Sequence, residues 1–177
     1  MSLLYLLSSL PMLSFDGVPG LSADTFAESC REQLSAADAS AAEALLHGLP
    51  SEHPFVAALL DKEAILRNAV AGERARITGK DSAQWERPTL GCDLQIRSEV
   101  GDAFLESDPL SREKALDKAR WRIAEELQGP DPLTVKAVFA YAVKLRIVTR
   151  WAGLHAEQGR QAFESLTQVP ITLNPDT

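Results

Sequence analysis

Apolar residues recur along this chain at intervals of three and four, and the runs between breakers are long. That spacing predicts helices in nearly every segment. Leu3 to Leu7 is too short a run for periodicity to decide, and it reads as either a strand or a buried helical turn. Pro11 to Gly20 follows as a loop. Ser22 is placed as an N-cap with Asp24 in the first turn, opening a helix to about Leu34 that buries Phe26, Cys30 and Leu34. Ser35 caps a second helix containing Leu45 and Leu46, and Gly48 is its stop.

Pro54, suited to a first helical position, opens a longer helix to Ile77 with Phe55, Leu59, Leu66 and Val70 on one stripe. Gly79 ends it, and Gly79 to Thr89 is a polar connection containing Trp85 and Pro88. Leu94 to Leu105 is helical, with Ile96, Val100 and Phe104 on one face. Asp108-Pro109 is a cap followed by an N1 proline, and its helix runs to Gln128, burying Leu116, Ala119, Ile123 and Leu127. Gly129-Pro-Asp-Pro132 breaks the chain before a helix from Leu133 to about Leu154, apolar almost all round and therefore packed on several sides. A short helix through Phe163 and Leu166 follows.

The expected fold is all-α: a single compact multi-helix domain over residues 1–169, with at most a short N-terminal strand. Residues 79–89 are the candidate boundary between two lobes, and residues 170–177 form a frayed tail. There is no internal repeat and no low-complexity tract.

Composition narrows the function classes. With 177 residues, 45% hydrophobic and 24% charged, the chain can bury a core without staples. A formal net charge of −7 argues against sequence-independent binding to nucleic acid and against docking on anionic lipid. The apolar N-terminus lacks a basic leader and an A-x-A site, so it is read as a folded segment, and it is too short to span a bilayer. Cys30 and Cys92 form no CxxC pair and are expected to be two buried thiols in a reducing cytoplasm.

Candidate chemistry is sparse. Glu43 and His47 lie one turn apart, but no second pair joins them, and His53 and His155 are scattered, so no metal and no cofactor is expected. No HExxH, Gly-rich phosphate loop, GxSxG or GxGxxG occurs. Lys144 falls inside the apolar arc of the last long helix and needs an acid; Asp117 is one candidate. The functional alternative is a lysine with a depressed pKa acting as nucleophile or base. Arg146 and Arg150, with Arg120 and Arg122 on the preceding helix, form a candidate partner-docking patch. The plainer alternative pairs them with Glu113, Glu125 or Glu126. Trp85, Trp121 and Trp151 are read as core anchors.

Two stretches carry a resemblance. The first is Tyr5-Leu-Leu-Ser-Ser-Leu-Pro-Met-Leu-Ser-Phe15 with Phe26-Ala-Glu-Ser-Cys30. The second runs from Trp85-Glu-Arg-Pro88 through Asp108-Pro-Leu-Ser-Arg-Glu113 and Leu116-Asp-Lys-Ala-Arg-Trp121 to Ala140-Tyr-Ala-Val-Lys-Leu-Arg-Ile-Val-Thr-Arg-Trp151 and Gly159-Arg-Gln-Ala-Phe163. Together they resemble an uncharacterised bacterial family, domain-of-unknown-function family 2764, whose genes lie among those for V/A-type ATPases. The closing pattern is also similar to the C-terminal helices of the ATPase socket protein, which joins the central stalk to the membrane rotor ring. This chain has about half the length that second resemblance implies.

The resemblance implies a non-enzymatic accessory or assembly protein, cytoplasmic or peripheral to the membrane through the ATPase. It would dock on soluble stalk or rotor subunits and bind no nucleic acid. The alternative class is a small-ligand binder or enzyme with a pocket between helices, whose sign would be a cleft gathering Lys144, Arg146 or Glu side chains.

Overall fold

The computed structural model describes residues 3–154. Seven α-helices and one short 3-10 turn make up the regular structure there, with no strand among the described residues. The N-terminal run resolves as helix α1 (Leu3–Ser9), with Leu6 fully buried. Helices α2 (Ala23–Gln33) and α3 (Ala36–His47) follow, capped by the Ser22 and Ser35 hydroxyls, which accept from Thr25 N–H and Asp38 N–H. Helix α3 stops at Gly48, whose φ of 66° is left-handed and natural to glycine.

Helix α4 (Pro54–Thr78) starts at His53, whose Nδ1 accepts from Phe55 N–H, and stops at Gly79 in the left-handed conformation. Helices α5 (Leu94–Ala103) and α6 (Pro109–Gln128) are capped by the Asp93 and Asp108 carboxylates. Helix α7 (Val135–Ala152) is shorter than its apolar run, because Leu133 and Leu154 fall outside it and are exposed. The helix expected through Phe163 and Leu166, His155 and the C-terminal tail lie outside the described residues.

Helix α7 is central. It packs against α6, α3 and α1, and Val138, Phe139, Ala140, Ala142, Val143, Leu145, Ile147 and Val148 are buried along it. Phe139 receives the Phe55 ring at 5.2 Å and the His53 ring edge at 4.8 Å, and Tyr141 stacks on Phe26 at 5.3 Å. A fully buried side chain of this kind contributes about 1.5–3 kcal/mol relative to exposure. Helix α5 fills the space between α4 and α6 with Ile96 and Val100. One continuous apolar cluster takes in residues from α1 to α7, which is what a single domain requires.

The connection from Gly79 to Cys92 is strapped along α4. Asn68 on α4 donates from Nδ2 to Arg87 O at 2.8 Å and accepts from Arg87 N–H at 2.9 Å, and Asp61 accepts from Leu90 N–H at 2.8 Å. Trp85 sits on this strap half exposed and is not a core anchor, because the strap covers a polar flank of α4 and leaves no apolar layer for an indole. Trp121 and Trp151 are partly buried against the core, as expected.

The cysteines divide. Cys30 is buried on α2, and desolvation pushes its thiol up to about 12, whereas Cys92 lies exposed at the end of the strap rather than buried. One thiol per native chain is therefore expected to react promptly with an aromatic disulfide reagent at neutral pH, and a second only after denaturation. Two fast thiols in the native state would contradict this packing of α2.

Candidate functional site

The charged side chains organise into two networks that join the helices. The first lies where α4, α5 and α6 meet. Arg122 on α6 grips Glu99 on α5 in bidentate fashion (Nε–Oε1 2.5 Å, Nη2–Oε2 3.0 Å) and reaches Glu126 at 2.9 Å. Lys62 on α4 bonds the other oxygen of Glu126 at 3.0 Å and Asp93 at 2.6 Å. Asp93 therefore both caps α5 and ties it to α4. The Lys62 hydrogen bond, followed by that from Ile96 N–H, holds the Asp93 carboxyl below its usual range, and the Asp93 and Glu126 bonds raise Lys62 against the opposing effect of burial.

The second network centres on Asp117, a carboxylate on α6 that is 2% exposed. Its Oδ1 accepts from Arg120 Nη1 at 2.9 Å. Its Oδ2 accepts from Arg150 Nη2 and, at 2.8 Å, from Trp151 Nε1, both on α7. Arg120 extends the network to α4 through Glu63 (Nε–Oε1 2.9 Å). Burial by itself lowers the Arg120 pKa, but Glu63 and Asp117 outweigh it and the net shift is upward. A buried carboxylate is costly unless its lone pairs are met, and Asp117 has three donors.

Arg146 projects from α7 beside this network and is handled differently. Its Nη1 donates to Leu45 O at 3.1 Å, the C-terminal end of α3, where a cation also meets the negative end of the helix dipole. A Cβ built on Gly48 would lie 2.6 Å from Nη1, so the glycine that stops α3 also makes room for the guanidinium. Among the described residues no carboxylate lies within ion-pair distance of Arg146. Desolvation is the largest influence on its pKa and the net shift is downward, yet a guanidinium stays charged at neutral pH.

The four arginines read from the sequence thus separate. Arg120, Arg146 and Arg150 come together around a cavity of about 220 Å³ with Glu113, Asp117 and Ile147, and Arg122 belongs to the other network. Only Arg122–Glu126 matches the pairing expected from neighbouring acids. Lys144 pairs with Glu125 at 2.8 Å rather than with Asp117 and lies 4.9 Å from the Trp121 ring centroid, a structural arrangement at the molecular edge. Glu43 pairs with Arg31, and no group of metal-ligating side chains assembles among the described residues.

Sequence reasoning missed Glu63, Gly48, Arg67 and Arg87. All four, with Arg120 and Arg146, help line a cavity of about 430 Å³ between α3, α4 and α7. Glu63 had a signal: it interrupts the apolar stripe between Leu59 and Leu66, and an acid there needs a cation. Arg87 had none, because its place depends on how the strap lies against α4.

Fold and site define a helical scaffold held by cross-helix ion pairs, with a basic concavity on an acidic chain. A family model described as "Protein of unknown function (DUF2764)" matches residues 74–169, and the chain belongs to that family. The match takes in Asp117, Arg120, Arg146 and Arg150, while Glu63, Gly48 and the Tyr5–Phe15 and Phe26–Cys30 stretches lie before it. Comparison with curated proteins and with solved structures found no match. No helix of the described residues is long and apolar enough to cross a membrane.

Two stability outcomes follow. Asp117→Ala is expected to cost about 3–5 kcal/mol in a urea melt, because it strands buried donors on two helices. Arg150→Ala, at a half-exposed position, should cost about 1 kcal/mol or less. Equal costs for the two would show that Asp117 is not the hub.

The Lys62–Asp93 pair sets a pH window. Asp93 is lowered in the folded state, so its contribution is present above about pH 4 and is lost as pH falls through the lowered value. Lys62 is raised, so its contribution is present below about pH 10.4 and is lost as pH rises through the raised value. Melts of Lys62→Met across both limbs should show a shallower pH dependence than the parent.

Proposed function

We propose that this protein is a non-enzymatic docking protein of a bacterial V/A-type ATPase, an accessory subunit or assembly factor that engages soluble stalk or rotor subunits. On this reading it is cytoplasmic, or held at the membrane's edge only through the complex. The ATPase comes from the resemblance in the Trp85–Trp151 region. The docking role rests on one observation: the concavity between α3, α4 and α7 carries four arginines and one glutamate on a chain of net charge −7. Leu49 and Leu60, both substantially exposed, stand in its wall. An apolar centre with a charged rim is the usual make-up of a protein interface, and the rim charges govern encounter and register.

A second reading, a small-ligand binder, is favoured by Arg146 facing the same cavity without a carboxylate partner. Lys144 does not contribute to it, being committed to Glu125.

The test is a tagged pull-down from a host that expresses the ATPase. Stalk or rotor subunits are expected to co-purify. Arg67→Glu with Arg87→Glu should weaken that capture while leaving the melt unchanged, since both side chains are exposed and make no ion pair among the described residues. Reversing Arg150 should instead lower stability through Asp117. Repeated absence of ATPase subunits from the wild-type pull-down would refute the partner.

A further inference from the structure

We propose that the cavity between α3, α4 and α7 is a carboxylate site, taking a carboxylate on a short apolar body, with Arg146 as the group that binds it. The inference goes beyond the docking reading and stands whether or not the partner is an ATPase.

The charge balance is the main support. Glu63 and Asp117 are the two buried acids of the network, and Arg120 and Arg150 are their cations, so the network is neutral within itself. Arg146 is a third guanidinium added to a balanced set. One of its donors is used by Leu45 O. The remaining donors make no hydrogen bond to the described residues, and none of them is sealed from solvent. They belong to a side chain that lines both the 430 Å³ cavity and the smaller one beside Arg150. Glu113, the one acid in the smaller cavity outside the network, makes no ion pair with Arg146.

The larger cavity matches the ligand in size and character. Its volume of about 430 Å³ lies in the range of small-ligand sites. Ala44, Leu45, Val56 and Leu59 supply apolar wall, and Arg67 and Arg87 stand at the rim as further cations. A guanidinium's planar fork suits a carboxylate, and a half-buried one binds it more strongly than a solvated one would. Two acids near the site, even paired, disfavour a dianion, so a monocarboxylate on an apolar stem is the better fit than a phosphate.

Such a carboxylate has two sources, a free short-chain acid or the C-terminus of a docked chain. The experiment covers both. The full-length protein, labelled with nitrogen-15, is titrated with hexanoate, with hexanamide, and with an acetylated dipeptide ending in leucine, as free acid or amide. The expected result is saturable shifts of the Arg146 Nε–H and of the amides of Leu45, Gly48 and Leu49, with a Kd of about millimolar order for so few atoms. The acids should bind at least tenfold more tightly than the matching amides.

Arg146→Gln should abolish the difference. Because Arg146 also caps α3, Arg67→Gln with Arg87→Gln is the companion variant, expected to weaken the acids several-fold with an unchanged melting midpoint. Tighter binding of the peptide acid than of hexanoate assigns the site to a chain terminus; equal or weaker binding assigns it to a free acid. The proposal is overturned if acids and amides behave alike, if the shifts map elsewhere, if neither acid saturates by about 20 mM, or if the rim variant leaves binding untouched.

Discussion

Everything around the basic concavity depends on burying one carboxylate. Asp117 is almost completely removed from water at the contact of α6 with α7. Its two oxygens accept from Arg120, Arg150 and Trp151, and Arg120 carries the linkage on to Glu63 of α4. The arrangement is a poor source of net stability, because desolvating charges consumes most of what their attraction returns. Its effect is on uniqueness. A slip of α7 by one turn would leave a buried acid without donors, so only one register of α4, α6 and α7 is acceptable. The apolar cluster alone would tolerate several arrangements of similar volume.

How much of this is legible in the chain depends on distance along it. Helix ends are legible because their causes are local. Ser22, Ser35 and Asp108 act within three residues, Pro54 and Pro109 open helices as proline does, and Gly48, Gly79 and Gly129 close them. The central helix is legible because few other placements suit a segment apolar nearly all round. Cross-helix pairing is not. Nearby acids are the natural expectation for the arginines, and only Arg122–Glu126, one turn apart, obeys that logic. Arg120 reaches across 57 residues to Glu63, and Arg146 across 101 to Leu45. Both Lys144 and Glu63 interrupt apolar stripes. The rule that such a charge needs a partner holds for each, but it cannot name the partner until the helices are set side by side.

The strap explains the other misreadings. Residue type alone sends Trp85 and Cys92 to the interior, a tendency that holds on packed helices. They sit on a segment fastened by backbone hydrogen bonds to Asn68 and Asp61, which needs no apolar contact to stay in place. The same fastening delivers Arg87 to the rim of the cavity. A connection that looks like a hinge between lobes is therefore part of the wall of the candidate site.

Gly48 has a consequence for the history of this family. The residue is held twice over, by a left-handed backbone and by the guanidinium that lies where its side chain would be. Relatives that replaced Arg146 with a shorter side chain would be freed from the second constraint but not the first, so asparagine, which tolerates the left-handed turn, becomes acceptable there. Drift at these two positions should be linked and ordered: the arginine must go before the glycine can, and lineages that lost the glycine first should be rare.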